Sequence, residues 1–506
     1  MKLRMNQISL IIFLLTLLLR ILPGPRTIDD AYITFRYARN ILDGQGMVYN
    51  PGDIVLGTTT PLYTGLMTIL GSLAGGADAP FPWIALLVNA FSDALSCMLL
   101  IRLGISLGSK NSGVACALIW AIAPMSVTFA IGGMETSVFI LLMLATFYFY
   151  SAGRPVPAAL AASMSLLTRP DALLFLLPLA IERVRRILPS QRLNPNPLPI
   201  SSAELLAFFI PTLIWTAFST IYFGSPLPHS ITAKVAAYRL PPEAALIRLL
   251  QHYATPFLGH LTFGNLWIRI GLIIFPILFG LGTLLAIRKK PGSWVMFVYP
   301  WFYLTAFSIA NPLIFRWYLA PPLPLYFLGI LLGGERIAQD VKRPSLSLVF
   351  VVVAFMLTLN GWTLKPDHGP TRPAPKMAFI ELELIYEAIG RNLEGKISSS
   401  EILSAGDIGA LGYFSKAKIL DTVGLISPEV AHYYPLPESF YEIIYAIAPD
   451  LILDEKPDYL VILEIYGRKG LLKEADFQNS YRLMEIIPTD LYGSDGMHIY
   501  IRDERG

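Results

Sequence analysis

Long apolar runs broken by short polar segments fill the first 364 of the 506 residues. Runs able to span a bilayer as helices of ~17–25 residues fall at 7–22, 83–103, 111–131, 134–152, 203–223, 264–287, 293–311, 317–334 and 346–363. Residues 61–75 are apolar but short and rich in glycine, so they are expected to lie at the interface. The run 156–181 is interrupted by Thr168-Arg169-Pro170-Asp171, which predicts two short helices around a turn. Basic residues favour cytoplasmic loops, and one alternating path accommodates every basic cluster. Lys2 and Arg4, Arg102 and Lys110, Arg154, then Arg183, Arg185, Arg186 and Arg192 all fall inside. Arg288, Lys289, Lys290, Arg336, Lys342 and Arg343 do so as well. The path has about 11 spans, a cytoplasmic N-terminus and a C-terminal end outside.

From residue 365 the pattern changes to helix and strand signals in alternation. A helix is predicted at 377–392, and strands near 401–405, 418–423, 458–463, 482–487 and 497–501. Such an alternation predicts a small α/β domain. The expected organisation is a transmembrane domain at 1–364 and a soluble extracytoplasmic α/β domain at 365–506, joined in the Pro-rich stretch Lys365–Pro375.

Composition agrees. Hydrophobic residues make up 54% of the chain and charged residues 15%, with mean hydropathy +0.55. Soluble proteins carry about 25% charged residues, so lipid is the expected solvent for most of this one. The net charge of +3 hides a division. Residues from 365 onward hold 23 of the 36 acids and 14 of the 39 bases, so they are acidic and the membrane part is basic. The two cysteines, Cys97 and Cys116, both lie in apolar runs and exclude a disulfide framework. The N-terminal apolar run lacks a small-residue cleavage site and is read as a retained first span. No P-loop, HExxH or nucleic-acid-binding pattern occurs.

Acids are scarce in the membrane part, and four of its 13 fall in one predicted outer loop: Asp29, Asp30, Asp43 and Asp53. The adjacent pair Asp29-Asp30 follows directly on a span. Two neighbouring carboxylates repel unless a cation or metal separates them, and Arg36 is a candidate for that cation. A carboxylate at the membrane surface suits a general base acting on a hydroxyl; an acid capping a helix explains the pair as well. Glu135, in the short outer loop Gly132–Thr136, is a candidate to bind a sugar hydroxyl or a cation, or simply an acid favoured by a helix dipole. Arg169 at the Thr168–Asp171 turn either serves a substrate or pairs with Asp171. His229 and Lys234, in the outer loop after 203–223, and Arg316, with Tyr318 beside it, are candidates to hold a phosphate. Interfacial anchoring explains these too. Asp93 lies inside a span, four residues after Asn89, and either carries a function or is a buried hydrogen-bonded acid.

The string DDAYITFRYARNILDGQGMVYNPGD, starting at Asp29, resembles the first extracytoplasmic loop of bacterial GT-C membrane glycosyltransferases, in particular the mycobacterial terminal β-(1→2)-arabinofuranosyltransferase family. The likeness recurs in order in GMETSVF, LTRPDALL, YFGSPLPHSITAK, RWYLAPPLP and, in the tail, AGDIGALGYFSKAKILDTVGL. The sequence departs from the pattern at Leu56-Gly57-Thr58-Thr59 and at His229, where asparagine is usual. The resemblance implies an enzyme that takes a sugar, arabinofuranose in that family, from a polyprenyl-phosphate donor. The acceptor would be a cell-envelope glycan, glycolipid or protein on the outer face of the cell membrane. It implies Asp29 or Asp30 as general base, the first of the pair usually holding that role, and basic groups against the departing lipid phosphate. No cofactor is required, and a divalent metal is left open. A transporter or flippase of lipid-linked sugars, or a non-catalytic envelope assembly protein, remains as an alternative.

Overall fold

The computed structural model describes residues 5–186, 199–257, 264–363, 372–398 and 400–503, apart from the side chains of residues 231 and 232. Lys2, Arg4, Arg192 and the expected domain boundary at 364/365 lie outside the described residues. Each predicted span coincides with helix: Met5–Ile21, Phe81–Ser106, Lys110–Ile122 with Pro124–Ile131, Thr136–Ser151, Pro155–Thr168, Leu173–Arg185, Ser202–Phe223, Gly264–Lys289, Trp294–Ala310, Leu323–Asp340 and Ser345–Leu359. Among the described residues, five helical segments are long and apolar enough to cross a membrane unaided. Lys110–Ile122 and Pro124–Ile131 make a sixth, bent by 49°. The bend falls where Pro124 removes an N–H donor and fixes φ.

The chain divides into two units. The first comprises Met1–Arg26, Pro82–Trp215 and Pro242–Phe379; the second comprises Thr27–Phe81, Thr216–Pro241 and Ile380–Gly506.

In the first unit, helices approach closely through glycine. A side chain at Gly282 would meet the Gly329 carbonyl, and one at Gly333 the Leu278 carbonyl. Without a hydrophobic drive between helices in lipid, such backbone proximity is what packs them. Large apolar side chains point outward instead, among them Leu10, Leu14, Ile214, Ile274 and Val349, each more than 40% exposed. Contiguous exposed apolar surface of this kind needs lipid as its neighbour. The loops segregate to two ends as the predicted alternation requires. At one end Lys290 donates to the Ser151 carbonyl, Lys289 to the Gly108 carbonyl, and Ser109 and Ser112 to Glu335. At the other, Arg26 is bonded through its amide to Ile131 and through its guanidinium to the carbonyl of Ala378. There too Trp362 Nε1 donates to the Ile122 carbonyl, and strands β1 (Trp362–Thr363) and β2 (Ala374–Pro375) pair antiparallel.

The second unit is built on a five-stranded sheet. Its strands are β3 (Ile402–Ala405), β4 (Lys418–Asp421), β5 (Tyr459–Leu463), β6 (Tyr481–Ile487) and β7 (Met497–Arg502), in the order β4-β3-β5-β7-β6. All five lie within a residue or two of the predicted positions, and helix Glu381–Leu393 stands in the predicted 377–392. Strands β4, β3 and β5 are parallel, whereas β7 and β6 run antiparallel. The first outer segment is helical at Asp29–Leu42 and again at Pro61–Leu73. Its turn residue Asn50 pairs with both backbone groups of Ile419 at 3.0 and 2.8 Å, closing the exposed edge of β4.

Candidate functional site

Asp29 and Asp30 occupy the first turn of helix Asp29–Leu42. Asp29 is committed to the backbone of the C-terminal region. Its Oδ2 accepts from the Gly409 amide at 2.8 Å and its Oδ1 from the Ala410 amide at 2.7 Å, at the start of helix Gly409–Ser415. The approach is close enough to require glycine, since a Cβ on Gly409 would lie 1.8 Å from the Asp29 carbonyl oxygen. Gly412 is constrained in the same way by the Tyr49 hydroxyl, at 2.0 Å from its would-be Cβ. These contacts explain why GDIGALGYF carries two glycines within a helix.

Arg36 does not separate the two acids. It is 1% exposed, and its guanidinium donates to the carbonyls of Tyr49, Gly412 and Ala417 and to Asn50 Oδ1. Two turns along the helix from Asp29, it makes four hydrogen bonds, three of them to backbone carbonyls, which makes it a clamp between the first outer segment and the C-terminal region. The cation beside the pair is Lys234, whose Nζ stands 3.4 Å from Asp30 Oδ2, with the two side chains 22% and 29% exposed. His229 precedes the same short helix, Ser230–Ala237, and its amide donates to the Leu56 carbonyl. Burial lowers the pKa of its ring, against the charge of Glu429.

A third carboxylate joins this group, one that sequence reasoning did not single out. Asp407 follows the carboxyl end of β3 and accepts from the Tyr386 hydroxyl at 3.1 Å. Burial pushes its pKa up to about 6, with the charge of Asp30 adding and that of Lys234 opposing. Asp29 is raised well above the usual range, by burial first and then by the charge of Asp407, against the two amide bonds. Both side chains nonetheless belong to residues only partly shielded from solvent. Tyr238, immediately after helix Ser230–Ala237, is raised by burial and by the charges of Asp407 and Asp30. The one signal for Asp407 in the sequence was its place in the AGDIG string after a predicted strand, where open α/β sheets bind ligands beyond the carboxyl ends of parallel strands.

The remaining predicted residues belong to the first unit. Arg169 is bound by two carboxylates, Glu135 at 3.0 Å and Asp171 at 2.9 Å, and all three side chains are at most 10% exposed. Its guanidinium also lies 4.8 Å from the Tyr318 ring centroid. This arrangement neutralises Arg169 and removes it as an independent phosphate ligand. Arg316 donates to the Met377 carbonyl at 2.9 Å and lies over Phe379 at 4.4 Å. Arg248, on helix Ala244–Ala254, adds a second positive charge within electrostatic reach of it. Asp93 pairs with Arg20 at 3.0 Å, both fully buried, while Ser126 donates to the same carboxylate oxygen at 3.3 Å. Among the described residues no group of three or more His, Cys, Asp or Glu side chains has metal-binding geometry.

Residues 378–500 match a family model described as a domain of unknown function (DUF8728). No curated protein matches the sequence. Solved structures match its shape. ArnT from Cupriavidus metallidurans, in a crystal structure bound to undecaprenyl phosphate, aligns at TM-score 0.54 and 12% identity over 98% of this chain and 97% of its own. The apo oligosaccharyltransferase of Archaeoglobus fulgidus aligns at TM-score 0.56 and 10% identity over 99% of this chain and 74% of its own. Arabinofuranosyltransferase AftD from Mycobacteria aligns at TM-score 0.42 and 13% identity over 99% of this chain and 40% of its own, a likeness that says nothing about the sugar. The chain thus shares its fold with these two structures, ArnT and the oligosaccharyltransferase. It is a helical membrane protein with a C-terminal α/β region.

Proposed function

We propose that this protein is a membrane glycosyltransferase that takes a sugar from a polyprenyl-phosphate donor, with Asp30 as its general base. The observation that carries this reading is the division of labour within the acid pair. Asp29 gives both oxygens to backbone amides, while Asp30 keeps a partly open carboxylate beside Lys234. Asp29 therefore fixes the height and angle of the helix end, and its neighbour is left to act. In the reaction Asp30 takes the proton of an acceptor hydroxyl. The acceptor oxygen bonds to the anomeric carbon, whose bond to the phosphate oxygen breaks, and that electron pair leaves with the polyprenyl phosphate. Lys234 offsets charge around this exchange. Within the first unit, Arg316 and Arg248 are the candidates to hold a lipid phosphate.

The placement of the reaction on the outer face follows from the basic loops, and arabinofuranose as the sugar follows from the motif resemblance. A glycan, glycolipid or protein of the cell envelope is the acceptor. Transport is the weaker reading: Asp93, the intramembrane acid that it would use, is matched to Arg20 at full burial. Purified protein in liposomes, offered a panel of polyprenyl-phosphate sugars and envelope glycolipid, tests the assignment. Transfer of one sugar, reduced ~10²–10⁴-fold by Asp30→Asn as expected for a lost general base, supports it. Full activity of that variant would move the base to Asp29 or Glu135. Reporter fusions after Arg154, Lys290 and Arg343 are expected to read cytoplasm, and a cytoplasmic C-terminus would overturn the orientation.

A further inference from the structure

We propose that Asp407 and Tyr238 form the subsite that holds the acceptor sugar, so that the C-terminal α/β region is part of the transfer site; this rests on the glycosyl-transfer reading above. Three features converge on it. The first is position. Asp407 lies beyond the carboxyl end of β3, the central member of the three parallel strands, and the helix that follows it is the one tied to Asp29. One residue, Ile408, therefore separates Asp407 from Gly409, the first anchor of Asp29 beside the proposed base. The second is valence. Tyr386 supplies one hydrogen bond to Asp407, at 3.1 Å. A carboxylate has about four acceptor positions, enough to receive sugar hydroxyls besides.

The third feature is the aromatic surface alongside. Tyr445 packs on the backbone before Asp407, its ring carbon 3.2 Å from where a Cβ on Gly406 would stand. Its hydroxyl is bonded to Thr422 at 2.7 Å, so it forms a fixed backing. Tyr238 lies tilted against it at 5.3 Å between centroids, and Tyr466 meets it edge-to-face at 5.1 Å. Tyr445 and Tyr466 are 3% and 9% exposed, whereas Tyr238 is half-buried. Four residues before it in the same segment is Lys234, the partner of Asp30. One short segment, helix Ser230–Ala237 and the residue after it, thus carries the cation of the base and the aromatic platform together. A ring face beside a carboxylate is complementary to a sugar, whose C–H face packs on the ring while its hydroxyls donate to the acid. The lipid tail of a donor belongs with apolar spans, and the occupant that fits this polar, sheet-borne corner is the acceptor.

The test compares Asp407→Asn and Tyr238→Ala with wild type in reconstituted vesicles. It measures acceptor KM, donor KM and the slow release of sugar to water in the absence of acceptor. Asparagine preserves shape and the Tyr386 bond. Asp407→Asn is expected to raise acceptor KM by ~10-fold or more, the scale of one lost hydrogen bond to a charged group, and Tyr238→Ala to raise it as well, while donor KM stays at the wild-type value. Tyr238→Phe, which keeps the ring, is expected to recover most of the loss in Tyr238→Ala. An unchanged acceptor KM in Asp407→Asn, or a rise confined to donor KM, overturns the subsite. Absence of any sugar release or transfer by the wild-type protein overturns the glycosyl-transfer reading instead.

Discussion

Two ion pairs, one in each unit, show how differently the same chemistry is used. Arg20 and Asp93 meet at 3.0 Å with neither side chain exposed, and Arg20 also donates to the Ala121 carbonyl and to Ser126. Asp30 and Lys234 meet at 3.4 Å with about a quarter of each side chain open to solvent. The first pair is fully buried and pins the first span to the helices around it. The second is partly exposed and set among further carboxylates, so a substrate can reach it. A buried ion pair in a membrane protein is thus no guide to the site by itself; the informative feature is an acid whose partners leave room.

The sharpest way to break this contrast is Asp30→Asn, for which transfer is expected to fall ~10²–10⁴-fold with an unchanged thermal unfolding midpoint in detergent. Asp93→Leu should do the reverse. Leaving Arg20 without its partner is expected to cost ~3–5 kcal/mol of stability, and the double change Arg20→Met with Asp93→Leu should restore most of it. If Asp93→Leu unfolds nothing but abolishes transfer, the two pairs have exchanged roles. A smaller effect is expected from pH. Asp407, with a pKa of about 6 against an ordinary 3.8, keeps its proton in the folded state where the unfolded chain has lost it. Its contribution to stability is therefore present at low pH and is lost as pH rises from about 4 through about 6. Acceptor affinity, which needs the ionised acid, should rise over the same window. In Asp407→Asn both trends should flatten, as read from unfolding midpoints and acceptor KM between these values. The smallest effect belongs to the exposed pair Lys418–Asp53, at 3.2 Å with side chains 43% and 38% exposed. Lys418→Ala is expected to change stability by less than ~1 kcal/mol and activity not at all.

Much of this molecule is legible from residue order. Runs of apolar residues demand lipid, and their length and flanking charges predicted the spans, because a helix in hydrocarbon satisfies its backbone within one segment. The five strands were equally visible, since period and β-branched content are local properties. The acid pair stood out because charge is rare in such surroundings. Side-chain partnerships were not legible. Arg36, six residues from Asp30, suggested a counter-ion, yet its donors reach carbonyls at Gly412 and Ala417; the actual cation, Lys234, lies 204 residues from Asp30 in the chain. Of the two readings of Arg169, pairing with Asp171 is seen, and Glu135, 34 residues away in the chain, shares it as well. Asp407 looked like any acid of an acidic region. Hydrogen bonds and charge coupling act over a few ångströms of space, whatever the separation along the chain. Sequence therefore determined which segments enter the membrane and which form the sheet, and only the tertiary structure decided which acid is held by backbone amides and which stays open.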